Sequence, residues 1–158
     1  MSNTHPVVLL VEDDPLVRMV MSDTLTDAGF RVLEAGSADT ALVLLEARNG
    51  IVAIATDVDM PGPINGFTLA RLVRRSWPSV GIVVASGARR PQGAELPAGA
   101  IFLPKPFLPP ALVAAVESVI ARPISEAGHA DPRLPFADAP SKSLAGGFPE
   151  ATREPSKD

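Results

Sequence analysis

The stretch "IVAIATDVDMPG", residues 51–62, decides how this chain is read. Largely apolar residues run into Asp57, and a second carboxylate follows at Asp59 before proline and glycine stop the run. A short, continuous, β-branched segment of this kind has the character of a strand buried on both faces. An unpaired buried carboxylate is strongly unfavourable. A strand that ends on two acids therefore either reaches solvent there or meets something cationic.

Outward from this segment the same pattern recurs. "VVLLV" (7–11) is another buried run, after which Asp14 and Pro15 read as helix N-cap and first helical residue. Leu16, Val17, Val20, Met21 and Leu25 follow at helical spacing until Gly29. "RVLEA" is a second, edge-like strand, and Ser37 can cap a helix carrying Ala41, Leu42 and Leu45 on one side. Beyond Asp57, "FTLARLVRRSW" reads as a helix closed before Pro78, and "VGIVVAS" and "AIFL" as strands. "PALVAAVESVIA" is the last helix, with Leu112, Val116, Val119 and Ile120 as its buried stripe. The segment "GARRPQGAELPAGA" between the fourth and fifth strands is rich in proline and glycine and admits one or two helical turns at most. Alternation of this kind implies an α/β fold, a parallel sheet covered on both faces, with a reduced fourth helix. The folded domain is expected over residues 1–122. Residues 123–158, rich in Pro, Ala, Ser and charge without an apolar period, read as a mostly disordered tail.

Composition removes several classes of function. There is no cysteine among the 158 residues, hence no disulfide, thiolate zinc site or thiol nucleophile. His5 and His129 lie near the two ends, outside any periodic segment, which argues against a His-based metal site or triad. The net charge of −4 gives no basic footprint for nucleic acid, and the pairs Arg74-Arg75 and Arg89-Arg90 read as solvated surface. Neither a signal peptide nor an apolar run of membrane-spanning length is present, so a soluble cytoplasmic protein without membrane contact is expected.

The polar residues at the strand ends carry the chemistry. Strand one ends in Glu12-Asp13, strand three in Asp57, strand four in Ser86, and Lys105 follows strand five. In open α/β sheets the ligand site lies outside the carboxyl ends, at the switch in strand order. With the order 2-1-3-4-5 that switch falls between strands one and three, where the acids would converge beside a hydroxyl and an ammonium. Clustered carboxylates repel one another unless a cation intervenes. Magnesium suits the place, because it takes oxygen ligands and is held by one or two carboxylates plus phosphate oxygens. A carboxylate nucleophile with a divalent metal, a lysine and a hydroxyl donor is what an aspartyl phosphate needs.

The pieces "LLVEDDP", "ATDVDMPG", "VVASGA" and "FLPKPF", in this order, make the chain resemble a receiver domain of the two-component response-regulator family, the chemotaxis-regulator type, from Val7 to Ala121. The resemblance implies a flavodoxin-like, five-stranded (βα) fold. It implies Asp57 as phosphoacceptor and metal ligand, Asp13 as direct magnesium ligand, Glu12 as a ligand through water, and the backbone carbonyl of Asp59 as a further ligand. Lys105 would bridge to Asp57 or its phosphoryl group, Ser86 would move toward the phosphoryl oxygen, and Phe102 would be the aromatic that rotates inward. Lys105-Pro106 resembles the family's cis peptide. The resemblance further implies a stand-alone receiver rather than an enzyme. It would be phosphorylated by a histidine kinase or histidine phosphotransfer protein, and would act through an unidentified downstream protein or as a phosphate sink. Two departures stand out: "MPGPING" is one residue longer than the family's common loop, and no convincing helix follows Ser86.

Other readings compete. "DVDMPG" also resembles the D-x-D motif of haloacid-dehalogenase-type phosphohydrolases, with Asp57 as nucleophile and Asp59 as acid–base. In that family, however, the magnesium acids follow the nucleophile, whereas Glu12 and Asp13 precede it. A flavodoxin-like cofactor binder would need small residues and free N–H groups where "EDDP" places carboxylates.

Overall fold

The structure is a computed structural model that describes residues 5–121, with side chains to residue 120; the expected tail at 123–158 lies outside the described residues. In chain order the elements are β1 Val7–Val11, α1 Pro15–Asp27, β2 Arg31–Ala35, α2 Ala38–Ala47, β3 Ile51–Asp57, α3 Gly66–Ser76, β4 Gly81–Ser86, β5 Ile101–Pro104 and α4 Pro109–Ala121. All strand pairs are parallel, in the order β2-β1-β3-β4-β5 expected from the sequence. Among the described residues no helix is long and apolar enough to cross a membrane.

Strand periodicity sorts the apolar residues onto two faces. Leu9, Val11, Ile54, Ile82 and Val84 point to one side, where Ala41 and Leu45 of α2 and Leu69, Ala70 and Val73 of α3 cover them. Val8, Leu10, Ala53, Ala55 and Val83 point to the other, under Met21 and Leu25 of α1 and Leu112, Val116 and Val119 of α4. The small side chains of β3 and the absence of a Cβ at Gly81 let α4 approach closely. A Cβ at Gly81 would stand 2.7 Å from Val119 Cγ2.

The helix starts follow from local polar chemistry. Asp14 and Ser37 cap α1 and α2 as expected, their side chains accepting N–H groups of the first turn. Asn65 does the same for α3, accepting from Thr68 N. The exposed face of α1 differs from expectation. Met21 and Leu25 face the sheet, but Leu16 and Val20 are 67% and 56% exposed. They join Val17, Met21, Pro106 and Phe107 along an open groove of about 670 Å³ that ends at Lys105.

Between β4 and β5 the chain forms no helix at all, so the expected reduced fourth helix is absent. The arm 87–100 makes isolated turns instead, with Glu95 N–H donating to Gln92 O and Ala100 N–H to Pro97 O. Proline at positions 91 and 97 removes two N–H donors, which explains why no continuous ladder forms. Arg74, expected in solvent, reaches back from α3 instead. It donates to the carbonyls of Ala98, Pro78 and Val80 at 3.0–3.2 Å, and burial lowers its pKa.

Candidate functional site

Parallel register brings the strand ends to one rim. Val11 lies beside Thr56, Asp57 beside Ala85, and Ser86 beside Pro104. The ladder runs on past the strands, with Val58 N–H donating to Ala85 O and Lys105 N–H to Ser86 O, both at 3.0 Å. Glu12, Asp57, Ser86 and Lys105 are therefore neighbours because each is at, or one residue beyond, the end of its strand.

Glu12, Asp57 and Ser86 are nearly sealed from solvent, at 3%, 8% and 2% exposure, whereas Asp13 is exposed. One oxygen from each of Glu12, Asp13 and Asp57 lies within 4.8 Å of the others. Lys105 Nζ donates to Asp57 Oδ1 at 3.0 Å and to Glu12 Oε1 at 3.3 Å. A single ammonium thus serves two buried carboxylates of a three-acid cluster. The cluster is anionic and oxygen-only, which fits a hard divalent cation such as magnesium. The Lys105-Pro106 peptide is cis, as the sequence suggested.

The titration of the cluster reflects that imbalance. Burial raises the pKa of Asp57, and the Asp59 and Asp13 charges add to it, against the lowering effect of Lys105. Burial likewise raises Glu12, with Asp57 adding to it against the hydrogen bond from Asp14 N and the charge of Lys105. Burial alone would lower Lys105, but its hydrogen bond to Asp57 and the charges of Asp57 and Glu12 leave it raised.

A carboxyl raised in the fold contributes stability that is fully present below the unfolded pKa and is lost as pH rises through the folded value. Lys105, also raised, keeps its contribution until alkaline pH, losing it as pH rises through its own folded value. The metal-free protein therefore carries buried carboxylates that a single ammonium only partly compensates, a burden at neutral pH. Asp57→Asn is expected to stabilise it in chelator at pH 7 by about 1 kcal/mol, the gain shrinking as pH falls through the carboxylate range. Thermal denaturation across pH checks this; a lower midpoint for the variant at pH 7 would contradict it.

The Asp59 carboxylate is exposed and stands outside the three-acid cluster, although its charge is felt at Asp57; the ligand expected from that residue is its backbone carbonyl. Ser86 Oγ accepts Arg89 N–H at 3.1 Å rather than facing solvent. Phe102 stacks on Phe67, centroids 6.4 Å apart. Two supporting residues escaped the sequence reading. Arg18 Nη1 donates to Glu12 O at 2.7 Å and its Nε to Glu34 at 3.1 Å, fastening the acidic end of β1. Gly66 begins α3 directly on the backbone of Asp57 and Val58 and donates its N–H to Val58 O at 2.9 Å. An arginine one turn into a helix gives no sequence signal for the first; the glycine at the loop-to-helix junction could have flagged the second.

Residues 8–117 match the family model described as "Response regulator receiver domain". The chain is similar to the sensor kinase CckA of Brucella abortus, 39% identical over 119 residues that make up 73% of this chain and 12% of that protein. It is similar to the response regulator protein FleR of Pseudomonas aeruginosa, 39% identical over 63% of this chain and 21% of that protein. The chain thus spans only a small part of the length of these curated relatives. Among solved structures, a response regulator receiver protein from Sinorhizobium medicae superposes with a TM-score of 0.70 at 31% identity, covering 75% of this chain and 97% of that one.

Proposed function

The chain belongs to the response regulator receiver domain family, and we propose that its Asp57 is the residue that accepts a phosphoryl group, in a magnesium-dependent reaction with a phosphohistidine of a histidine kinase or phosphotransfer protein. The observation that carries this reading is the Lys105 ammonium on Asp57 Oδ1 beside Glu12 and Asp13.

Lys105 occupies Oδ1, which leaves Oδ2 of Asp57 as the attacking oxygen. It attacks phosphorus as the P–N bond to the donor imidazole breaks; the ring keeps the electron pair and is neutral or takes up a proton. The product is an acyl phosphate on Asp57 and a free histidine on the donor. Glu12 through water, Asp13 and Asp57 directly, and the Asp59 carbonyl would hold magnesium. When bound, it supplies charge to the phosphoryl oxygens during in-line transfer. Lys105 keeps the Asp57 carboxylate oriented and places a positive charge where the phosphoryl oxygens gather. Burial of Asp57 strengthens both effects by lowering the local dielectric.

The groove along Leu16, Val17, Val20 and Phe107 opens beside Lys105, next to the acceptor. It offers an apolar face to the donor protein while the donor's histidine reaches Asp57. Ser86 and Phe102 belong to the response to phosphorylation, and the output is contact with a further protein or storage of the phosphoryl group. The chain acts as a phosphoacceptor in signalling and not as a turnover enzyme, and the cytoplasm is its expected compartment.

Acetyl phosphate with magnesium is expected to add one phosphoryl group to the chain, seen as a single increment in intact mass. Chelation with EDTA is expected to suppress the increment by about tenfold or more. Equal labelling with and without chelator would contradict the metal's part in the reaction.

A further inference from the structure

The amino ends of the strands form a second rim, at the opposite end of the sheet from Asp57. There Arg31 begins β2, and Arg48, Asn49 and Gly50 carry the chain from α2 into β3. Gly50 has a φ of 91°, a left-handed conformation that glycine adopts without strain, so the turn into β3 is abrupt. Arg31, Arg48 and Asn49 line one cavity of about 120 Å³, over the apolar walls of Val7 and Leu33. A single water needs only about 15 Å³, so the cavity has room for a small polyatomic ion.

The two arginines differ from others in the fold. Arg18 pairs with Glu34 and Arg89 with Glu95, while Arg71 and Arg74 donate to backbone carbonyls. The side chains of Arg31, Arg48 and Asn49 have no hydrogen-bond or ion-pair partner among the described residues. No carboxylate lines the cavity either. A guanidinium does not lose its proton in a protein, so two of them on one small cavity repel each other with no opposite charge between them. On a chain of net charge −4, whose far rim gathers three acids, this is a local reversal of sign. Each guanidinium offers a planar fork of N–H donors that can hold two oxygens of a phosphate at once, and the Asn49 amide adds a neutral donor.

We propose that Arg31, Arg48 and Asn49 form a binding site for a phosphate-type oxyanion, either free phosphate or the phosphoryl end of a small organic ester. A larger cavity of about 630 Å³ adjoins it, sharing Val7 and Arg31 and walled by Pro6, Val52 and Ile120. The organic part of an ester would lie there. The seven residues of β3 separate Gly50 from the Asp57 end, so the site needs neither the metal nor the phosphoacceptor.

Nuclear magnetic resonance of the 158-residue chain tests this. The chain is titrated in EDTA, at ionic strength fixed with chloride, with inorganic phosphate and separately with phenyl phosphate. The amides of Asn49 and Gly50 and the Nε–H signals of Arg31 and Arg48 are expected to shift and saturate, with half-saturation at about 1–10 mM. The amides of Val58 and Lys105, at the other rim, are expected to stay in place. The double variant Arg31→Gln, Arg48→Gln is expected to weaken binding about tenfold or more. Neither side chain is bonded within the fold, so the rest of its spectrum is expected to match the wild type. Arg75→Gln removes an exposed arginine of α3 and controls for charge alone; it is expected to bind as the wild type does. Equal half-saturation by the two probes supports the site with free phosphate as its ligand. Tighter binding of phenyl phosphate, with shifts at Val52 and Ile120, supports it with an ester as its ligand. Shifts that grow without saturating overturn the site, as does a double variant that binds like the wild type or an Arg75→Gln variant weakened as much as the double one.

Discussion

Asp57→Asn is expected to take up no phosphoryl group from acetyl phosphate and magnesium under conditions that label the wild type fully. An asparagine side-chain oxygen carries no full charge and cannot form a stable acyl phosphate, so the nucleophile is lost outright. The substitution also removes one of the three carboxylates that lie within 4.8 Å of each other, which weakens the metal site. Because Asp57 is buried and its pKa is raised chiefly by burial, the same variant is expected to be more stable without metal. The combination separates this account from a trivial one, since a variant that folds better and still refuses the label cannot be excused as misfolded. Intact mass and a thermal melt on the same sample check both halves. Undiminished labelling would show that another residue is the acceptor.

Gly66→Ala is expected to cost the fold about 3 kcal/mol or more and to lower labelling in the fraction that remains folded. Gly66 is the first residue of α3 and is buried. A Cβ there would meet the carbonyl oxygen of Asp57 and come within 2.7 Å of Val58 Cα and 2.8 Å of Asp57 C. Those are backbone atoms, paired with β4 through Val58 N–H and Ala85 O at 3.0 Å, and they cannot swing aside as a side chain could. Either α3 lifts from the sheet, exposing Phe67 and Leu69, or the end of β3 shifts and carries the acceptor with it. Urea unfolding measures the first effect and acetyl phosphate labelling the second. A variant with wild-type stability would show that the α3 start is more yielding than this packing allows.

Residues that obey one local rule were legible in the sequence. The continuous apolar runs of β1, β3 and β4 are strands buried on both faces, and the strand-end residues follow from them, whereas the sheet order came with the family resemblance. Asp14 and Ser37 announce helix starts because capping needs only a side-chain oxygen and the next turn. Glu12, Asp13, Asp57 and Lys105 could be assembled because parallel register places the ends of neighbouring strands side by side. What failed depends on tertiary contact. Leu16 and Val20 have the spacing of a buried stripe, yet the stripe on α1 is wide and the sheet covers only its Met21 and Leu25 side. Arg74, Arg89 and Arg90 look solvated because a charge in sequence says nothing of a carbonyl or a ring nearby. Arg74 finds three carbonyls, and the other two find phenylalanines from other elements. The segment 87–100 could be read as poor in helix from its prolines and glycines, but not as an arm fastened to α3, since its anchors Arg71 and Arg74 lie 24 residues away from their carbonyl partners.

The most direct measurement is the position and chemical nature of the phosphoryl group on the wild-type chain. After acetyl phosphate and magnesium, borohydride reduction converts an acyl phosphate to the corresponding alcohol, and peptide mass spectrometry then locates the changed residue. A single reduced position, Asp57, is expected, with the label released by hydroxylamine. A label that resists hydroxylamine, or that maps to Ser86 or any residue other than Asp57, would contradict it.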